Sequence, residues 1–261
     1  MPDTNEELKI AIAAAQEAGK ILKTNFGKTY RVLRKSPKEM VSIVDIQSQN
    51  AILKILKAHF PEYGIIIEER APSPGEASLG EGGKNWIIDP LDGTHNYIAG
   101  LPFCGVSIGL VEENSFNIGV IYFPMENRLY YACKGAGAFL NEEKIAVSRN
   151  GELSKAIITY DNQFHLNEKS FLYYKRLTER VFTTRIFGTA TNDICLTAEG
   201  KVDGRIWVNT KICDIAAGIV ILTEAGGRIT NFDGTKCTVE SKQVIASNGN
   251  VHEELLDMVK N

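Results

Sequence analysis

Asp89 and Asp92 are the first candidates for chemistry, because two carboxylates three residues apart can converge on one small volume. They stand in the segment Asp-Pro-Leu-Asp-Gly-Thr, directly after the apolar run Trp86-Ile-Ile. Pro90 stiffens the turn, and Gly93 permits a positive φ or a close backbone approach. Clustered carboxylates need a cation to offset their repulsion, and a ligand set made of oxygen favours Mg²⁺, Mn²⁺ or Ca²⁺ over zinc. The pattern therefore indicates a cation site, although Asp-x-x-Asp-Gly is also a common turn composition.

The backbone that follows Asp92 is a candidate phosphate site. If a helix begins here, the N–H groups of Gly93 and Thr94 could bind an anion, since unpaired amides and the helix dipole favour negative charge. His95 stands in the same segment without a second histidine at metal-ligand spacing, so we interpret it as a turn residue. The sequence contains no nucleophile elbow, Walker loop or dinucleotide fingerprint that would indicate other chemistry.

Two further acidic positions could join this site from elsewhere in the chain. Glu68 and Glu69 follow the apolar run Ile65-Ile-Ile, although adjacent acids are more often a solvated strand end. Asp214 follows Cys213 and precedes an apolar helix. It could cap that helix with one carboxylate oxygen while the other oxygen binds a metal.

The composition is that of an ordinary soluble globular protein. The chain has 261 residues, of which 44% are hydrophobic and 23% charged, enough to bury a sizeable core. A formal net charge of −3 argues against broad binding to nucleic acid or to an anionic membrane. No apolar run is long enough to span a bilayer, and the first residues lack the pattern of a signal peptide. Five widely spaced cysteines indicate reduced thiols, which together with these absences predicts a cytoplasmic protein.

The N-terminal half is predicted to hold the acids on a helix pair and a sheet. Thr4-x-x-Glu7 is a possible capping box for a helix that ends near Gly27. A second helix runs from about Asp45 to Phe60, and Asp45 could be its cap or could orient a threonine hydroxyl. Strands at 64–68 and 85–89 end on carboxylates, a loop rich in Gly and Pro covers 71–84, and an antiparallel meander spans 103–147.

The C-terminal half alternates strands and helices. Strands are predicted at 156–160, 185–187, 204–208 and 244–246, and helices at 190–198, 215–225 and from Val251 onwards. A helix pair, then a meander, then alternating elements favour two packed halves, residues 1–150 and 151–261. The predicted fold class is a composite of α+β and α/β, with an antiparallel sheet in the first half and a mixed sheet in the second.

Two ordered motifs resemble those of the inositol monophosphatase family. The first motif of that family is an apolar strand followed by Asp-Pro-Ile/Leu-Asp-Gly-Thr-x-Asn-Phe/Tyr, which stands complete at residues 87–97. The second, Trp-Asp-x-Ala-Ala/Gly ending in Glu-Ala-Gly-Gly, is matched at 213–217 and 224–227. The pair of glutamates, the segments 135–138 and 188–190, and the closing 244–246 also follow in family order. The resemblance covers nearly the whole chain and implies the layered αβαβα fold of the sugar phosphatases.

The resemblance implies a phosphoric monoester hydrolase that uses Mg²⁺, two or three ions per site, with Mn²⁺ as a possible substitute. Carried over by position, Glu68, Asp89 and the carbonyl of Leu91 would hold one ion. Asp89, Asp92 and Asp214 would hold a second, and a third, weaker ion would lie near Glu68. Direct attack by metal-activated water then needs no covalent intermediate.

The resemblance also implies roles for the residues around the metals. Glu68, Thr94 and Asp45 would be catalytic, with Thr94 and Asp45 positioning the attacking water. The substrate would be a small phosphorylated polyol or sugar, and the protein a homodimer that lithium inhibits. The implied substrate-binding residues are Asp92, Gly93, Thr94, Gly188, Thr189 and Ala190.

Two positions depart from the family pattern. Cys213 occupies the place of the tryptophan in the second motif, which affects packing more than chemistry. Trp207 stands where the inositol enzymes of the family carry an acid that contacts substrate hydroxyls, which weakens the case for inositol as the substrate. The lysine of the family's mobile metal loop corresponds to Lys35 or Lys38.

The resemblance leaves other functions open. Fructose-1,6-bisphosphatase and histidinol-phosphatase activities occur in the same class, whereas the 3′-phosphoadenosine nucleotidase branch usually has Lys-Glu where this chain has His95-Asn96. Some bacterial relatives also act as protein partners of the transcription machinery. A pure binding role predicts loss of the metal carboxylates, which this chain keeps. A calcium-binding structural protein would show metal-dependent stability without turnover.

Overall fold

The computed structural model describes residues 5–36, 39–67, 83–161, 163–165 and 167–260. Within these ranges the chain forms two large sheets, one small hairpin and seven α-helices, none of them long and apolar enough to cross a membrane. The helices are α1 Glu6–Asn25, α2 Ile43–His59, α3 Thr94–Ala99, α4 Ser170–Thr178, α5 Ala190–Ala198, α6 Ile212–Glu224 and α7 His252–Val259. The strands are β1 Val32–Ser36, β2 Glu39–Ser42, β3 Gly64–Ile67, β4 Lys84–Asp92, β5 Gly105–Glu112, β6 Ser115–Phe123, β7 Arg128–Cys133, β8 Ala138–Leu140, β9 Glu143–Lys144, β10 Ile157–Tyr160, β11 Thr183–Arg185, β12 Gly204–Trp207, β13 Arg228–Asn231 and β14 Val244–Ser247.

Side chains at the helix beginnings explain where the helices start. Asn5 caps α1 by accepting a hydrogen bond from an amide of the first turn, whereas Thr4, the predicted capping residue, lies outside the described residues. Thr189 caps α5, which spans its predicted range. Asp45 and Asp214 occupy the third position of α2 and of α6, and not the cap position that the sequence suggested. Both side chains reach back to the residue that precedes their helix, which satisfies a backbone N–H there.

The larger sheet lies in the N-terminal half, with the strand order β3-β4-β5-β6-β7-β8-β9. Strands β4 to β9 pair antiparallel, which confirms the predicted meander. At the edge, β3 runs parallel to β4, with Ile67 beside Ile88, so the sheet as a whole is mixed. A parallel pair needs a connection of about a dozen residues or more. Residues 68–83 supply that length between the two strands.

The smaller sheet lies in the C-terminal half, with the strand order β11-β10-β12-β14-β13. β10 is parallel to β11 and β12, and the remaining pairs are antiparallel, which confirms the predicted mixed sheet. Neither α4 nor the β1–β2 hairpin was predicted. In α4, Tyr173 and Leu177 are buried but Phe171 and Leu172 are exposed, so apolar residues on both sides of the helix obscure its buried face in the sequence. The division of the chain at residue 150 stays a prediction.

The elements stack in five layers, which confirms the αβαβα arrangement. α1 and α2 pack together on one face of the larger sheet, in a core that includes Leu22, Ile52 and Ile108. α5 and α6 lie between the two sheets, where Ile194 and Ile221 share an apolar core with strands of both. α4 and α7 cover the far face of the smaller sheet.

α6 meets the larger sheet through its backbone. A Cβ atom added to Gly119 on β6 would lie 2.1 Å from the carbonyl oxygen of Ala217. A Cβ atom added to Gly109, directly opposite on β5, would lie 3.1 Å from the Ala217 backbone nitrogen. The two glycines therefore set the depth at which α6, and Asp214 near its beginning, packs on the sheet.

A carboxylate at the other end of α6 ties the two halves together. Glu224 accepts hydrogen bonds from the amides of Gly135 and Gly137, each 2.7 Å long. Both glycines lie between β7 and β8 with positive φ values, 80° and 86°. The segment 135–138 and the Glu-Ala-Gly-Gly segment, which appeared in the sequence only as family landmarks, are therefore bonded to each other.

Glu224→Gln is expected to lower the free energy of unfolding by about 1–2 kcal/mol, because its amide NH₂ would face a backbone N–H and leave a donor unpaired. Chemical denaturation measures this change. The matched control is Glu240→Gln at an exposed position, expected to change stability by less than about 0.5 kcal/mol. Equal stability of the two variants would contradict the role given to Glu224.

His252, the first residue of α7, is a buried imidazole. Its Nε2 lies 2.9 Å from the Thr230 hydroxyl oxygen, and its Nδ1 lies 2.8 Å from the Ser247 hydroxyl oxygen. Burial, aided by the positive charge of Arg228, lowers the pKa of His252 to about 4. The folded protein therefore holds this side chain neutral at a pH where the unfolded chain would already protonate it.

The depressed pKa of His252 predicts a loss of stability in acid. The neutral imidazole stabilises the fold fully above the unfolded pKa of 6.5, and this contribution is lost as the pH falls towards the folded value of about 4. We expect this group to account for about 2–3 kcal/mol across that window. Urea unfolding of the wild type and of His252→Gln at several pH values isolates the effect. The variant should show the shallower pH dependence, and parallel curves would exclude the assignment.

Candidate active site

A bulge in β4 places Asp89 and Asp92 on the same face of the larger sheet. Asp89 lies opposite Ser107 on β5 and Asp92 lies opposite Gly105, so three steps along β4 match two along β5. Side chains alternate between the faces of a strand, so two residues three apart would point to opposite faces without the extra residue. Asp89 is 1% exposed and Asp92 9% exposed. Two buried carboxylates therefore face the same way at the end of β4.

The turn after Asp92 requires a glycine. Gly93 has a φ of 81°, and a Cβ atom there would lie 2.6 Å from the carbonyl oxygen of Phe103. α3 begins at the next residue, and the Gly93 carbonyl accepts the Tyr97 amide at 2.9 Å. The helix start on which the phosphate prediction depends is therefore present, with the amides of Gly93 and Thr94 at its N-terminus.

Asp45 joins the beginning of α2 to the turn at Thr94. Its Oδ2 accepts hydrogen bonds from the amide and the hydroxyl of Ser42, at 2.8 and 2.5 Å. Its Oδ1 lies 3.1 Å from the Thr94 hydroxyl, which also lies 3.0 Å from the carbonyl oxygen of Leu91. Burial raises the pKa of Asp45, although these hydrogen bonds oppose the rise. Asp45 thus accepts the backbone N–H of the residue before α2 and also contacts Thr94. That Asp45 and Thr94 position a water molecule stays a prediction.

Asp92 lies against the N-terminus of α5. Its Oδ2 accepts hydrogen bonds from the Thr189 hydroxyl and from the hydroxyl and amide of Thr191, the latter two at 2.5 and 2.8 Å. The amide of Ala190 lies 3.3 Å from Oδ1. Burial raises the pKa of Asp92, and these donors oppose the rise. Thr189 and Ala190, two of the implied substrate contacts, therefore lie beside Asp92 and donate hydrogen bonds to its carboxylate.

Asp214 approaches the same region from α6. Its Oδ2 lies 3.2 Å from the Thr210 hydroxyl and accepts the Lys211 amide at 3.1 Å, which closes the first turn of the helix. Its neighbour Cys213 packs against Ile87 on β4. The beginning of α6 is thus in contact with β4.

Glu68 and Glu69 lie outside the described residues, as do Lys38 and the side chain of Lys35. β3 ends at Ile67, beside the residue that precedes Asp89. Within the described part of the chain, no group of three or more His, Cys, Asp and Glu side chains could hold a metal ion. The metal sites implied by the resemblance therefore remain predictions, because Glu68, one of their implied ligands, is not among the described residues.

The described residues fit a cation at the end of β4. Asp89 and Asp92 bring buried carboxylates to one face, and the carbonyl of Leu91 belongs to the same turn. Ser107, directly opposite Asp89, has a buried hydroxyl with no hydrogen-bond partner among the described residues. Such atoms are rare, and an ion or an ordered water is a common explanation. Every one of these groups offers oxygen, the ligand atom that Mg²⁺, Mn²⁺ and Ca²⁺ prefer.

Arg205 is a buried cation that was not among the candidate residues predicted from the sequence. Its Nη1 donates a hydrogen bond to Asp193 on α5, and its guanidinium lies 5.1 Å from the ring centre of Trp207. Burial lowers the pKa of Arg205 to about 10, against the opposing influence of carboxylates that include Asp92 and Asp214. The signal in the sequence was a charged residue inside the apolar run of β12. A charge at such a position is rare unless it is paired.

Trp207 is part of the core. Its side chain is 2% exposed and packs with Ile194 of α5 and Ile215 of α6. An indole has no carboxylate, and the Trp207 Nε1 is buried without a hydrogen-bond partner among the described residues. The structure therefore has neither an acid nor an accessible polar group at the position where the resemblance expected inositol recognition.

Comparison with known proteins gives consistent matches over the whole chain. A sequence profile of the inositol monophosphatase family matches residues 3–261. The fructose-1,6-bisphosphatase/inositol-1-monophosphatase of Aquifex aeolicus is 36% identical, and the alignment covers 100% of this chain and 97% of that protein. Nus factor SuhB of Pasteurella multocida is 32% identical over 98% of this chain and 96% of its own. Among solved structures, the extragenic suppressor protein suhB from Bartonella henselae has a TM-score of 0.91 at 31% identity, covering 98% of this chain and 99% of that one.

Proposed function

We infer the function from one premise: the chain belongs to the inositol monophosphatase family. It is therefore a phosphatase, a phosphoric monoester hydrolase. We propose further that it depends on Mg²⁺, with Mn²⁺ as a substitute, and that it hydrolyses a small phosphorylated polyol or sugar. The bulge that turns Asp89 and Asp92 to one face, directly before a helix start, is the observation that supports this most.

The proposed roles follow from the contacts of each residue. Asp89, Asp92 and the Leu91 carbonyl would hold the ions, together with Glu68 and Asp214. When bound, Mg²⁺ lowers the pKa of a water molecule and neutralises charge on the leaving oxygen. The amides at the beginning of α3 would bind the phosphate, since the first N–H groups of a helix have no acceptor within the helix itself.

Thr94 would orient the attacking water through its hydroxyl. Because Asp45 Oδ1 can accept the hydroxyl hydrogen, the Thr94 oxygen is left to accept a hydrogen from water. Thr94→Val keeps the shape of the side chain and removes the hydroxyl, so we expect kcat to fall about a hundredfold with little change in KM. Thr94→Ser should keep most of the activity. Equal activity of the valine and serine variants would exclude this role.

The substrate within the class is the least constrained part of the proposal. The buried Trp207 removes the expected inositol contact, and the Aquifex aeolicus relative is named for both fructose-1,6-bisphosphatase and inositol-1-monophosphatase activity. A phosphate-release screen of the purified protein with Mg²⁺ separates the alternatives. It should compare inositol-1-phosphate, fructose-1,6-bisphosphate, histidinol phosphate and 3′-phosphoadenosine 5′-phosphate, with Li⁺ as an inhibition control. No release from any of these with Mg²⁺ or Mn²⁺ would overturn the proposal.

A regulatory role is the second candidate, because a relative named Nus factor SuhB is 32% identical over nearly the whole chain. Such a role would depend on a protein-binding surface and not on the carboxylates. A partner captured equally by the wild type and by Asp89→Asn would support it. We also propose a cytoplasmic homodimer, on family resemblance alone, which light scattering of the purified protein tests.

A further inference from the structure

A cavity of about 520 Å³ lies at the C-terminal end of α6. The last turns of α6 form one wall, the beginning of β6 and the end of β7 form the second, and β13 with the loop that follows it forms the third. Asp214 and Glu224 are ten residues apart on α6, so the rim at Glu224 lies about 15 Å along the helix from Asp214. The cavity is therefore separate from the site at the end of β4.

The floor of the cavity is apolar. It is formed by Ile219 and Val220 of α6, Phe116 of β6 and Ile229 of β13. Cys237 adds a half-buried thiol, and burial raises its pKa to about 11, so that it stays neutral at physiological pH. Cavities of roughly 300–1,000 Å³ with an apolar floor and a few polar groups are typical of small-molecule sites. The volume and floor suit a small molecule with an apolar group.

The rim carries an excess of positive charge. Lys134, Arg228 and Lys236 contribute cations, and Glu224 is the carboxylate among the described lining residues. Both Glu224 oxygens already accept backbone amides, and Arg228 is paired with Glu253 at 2.5 Å. Lys134 donates a hydrogen bond to the Ser115 hydroxyl at 2.8 Å. Among the residues that the structure describes, neither Lys134 nor Lys236 has a carboxylate partner. Since the chain as a whole has a net charge of −3, this excess is a local property of the cavity.

We propose that this cavity is a second ligand site, which takes a small organic anion that carries an aromatic or branched aliphatic group. The apolar group would pack against Ile219 and Val220, and the anionic end would lie between Lys134 and Lys236. A neutral ligand would leave both ammonium groups without a counter-charge at the rim, and a cation would be repelled by them. Charge complementarity therefore selects an anion.

Binding of 1-anilinonaphthalene-8-sulfonate to the full chain tests this proposal, because the dye is an aromatic anion whose fluorescence rises in apolar surroundings. We expect saturable binding with one site per chain. The double variant Lys134→Ala/Lys236→Ala should bind about tenfold more weakly. Thr223→Trp, which places an indole at the cavity from an exposed position of α6, should abolish binding. Benzoate should displace the dye, and benzyl alcohol should not.

Lys201→Ala is the matched control, because Lys201 is exposed and outside the cavity lining. It should bind the dye as the wild type does. Non-saturable binding, or equal affinity of the wild type, the double lysine variant and the control, would overturn the proposal. Displacement by benzyl alcohol as effective as by benzoate would also overturn it. None of these measurements depends on phosphatase activity, so a failure here is distinguishable from a failure of the proposed function.

Discussion

Asp89→Asn is expected to lower the rate of phosphate-ester hydrolysis at least about a thousandfold and to leave the fold intact. Asp89 is buried at the end of β4, and its Oδ1 accepts the Leu91 amide at 3.0 Å. The carbonyl oxygen of asparagine can keep that bond at nearly the same volume. The substitution therefore removes a negative charge and a metal ligand with little change of shape.

The test combines steady-state kinetics over a range of Mg²⁺ concentrations with thermal unfolding of the same protein. Asp257→Asn is the matched control, since Asp257 is exposed on α7 and, within the described part of the chain, its carboxylate is paired with Lys260. Exposed ion pairs contribute little to stability, so this variant should retain full activity. A folded Asp89→Asn protein with substantial turnover would exclude the metal role of Asp89.

Gly119→Ala is expected to destabilise the fold by about 3 kcal/mol and to reduce turnover in whatever protein remains folded. The added methyl group would lie 2.1 Å from the Ala217 carbonyl oxygen, and a helix backbone cannot rotate away as a side chain can. α6 would have to move off the larger sheet. Because Asp214 lies near the beginning of α6, movement of the helix should displace Asp214 and lower turnover.

Gly151→Ala is the matched control for Gly119→Ala, because no heavy atom lies within 4 Å of a Cβ atom at Gly151. This variant should match wild-type stability within about 0.5 kcal/mol. Activity of both variants is measured at a temperature below the unfolding transition of Gly119→Ala, so that loss of fold and loss of turnover are separated. Wild-type stability and turnover in Gly119→Ala would mean that α6 is not held by this contact.

Local signals in the sequence predicted the parts of the fold that depend on neighbouring residues. α5 spans its predicted range, and the structure shows that Thr189, directly before it, caps the helix. The β4 turn was recognised because Pro90 and Gly93 constrain the backbone directly. The layered arrangement followed from the order of the elements and from the family resemblance, which comparison with known proteins confirms.

Features that depend on distant partners were not predictable in this way. The bulge in β4 exists only in relation to the register of β5, so the spacing of Asp89 and Asp92 alone could not show that they share a face. The parallel pairing of β3, the bonds from α5 to Asp92 and the burial of Trp207 likewise arise from contacts between remote segments. Arg205 left a visible signal, a charge in an apolar strand, but its partner Asp193 could not be identified from sequence.

The hydrogen bonds from the amides of Gly135 and Gly137 to Glu224 show that residues of this protein can be retained for two different reasons, stability or catalysis. Glu224, Gly135 and Gly137 stabilise the fold, since loss of the Glu224 carboxylate would leave the two glycine amides without their acceptor. Asp89, by contrast, has a proposed role in the reaction. A descendant of this protein could therefore lose Asp89 without a loss of stability, whereas loss of Glu224 alone would cost about 1–2 kcal/mol. In a survey of related chains, the glutamate–glycine pair would identify those that share the fold, and the aspartates those that share the chemistry. A chain with the first and without the second would be a candidate pseudoenzyme, recognisable before any assay.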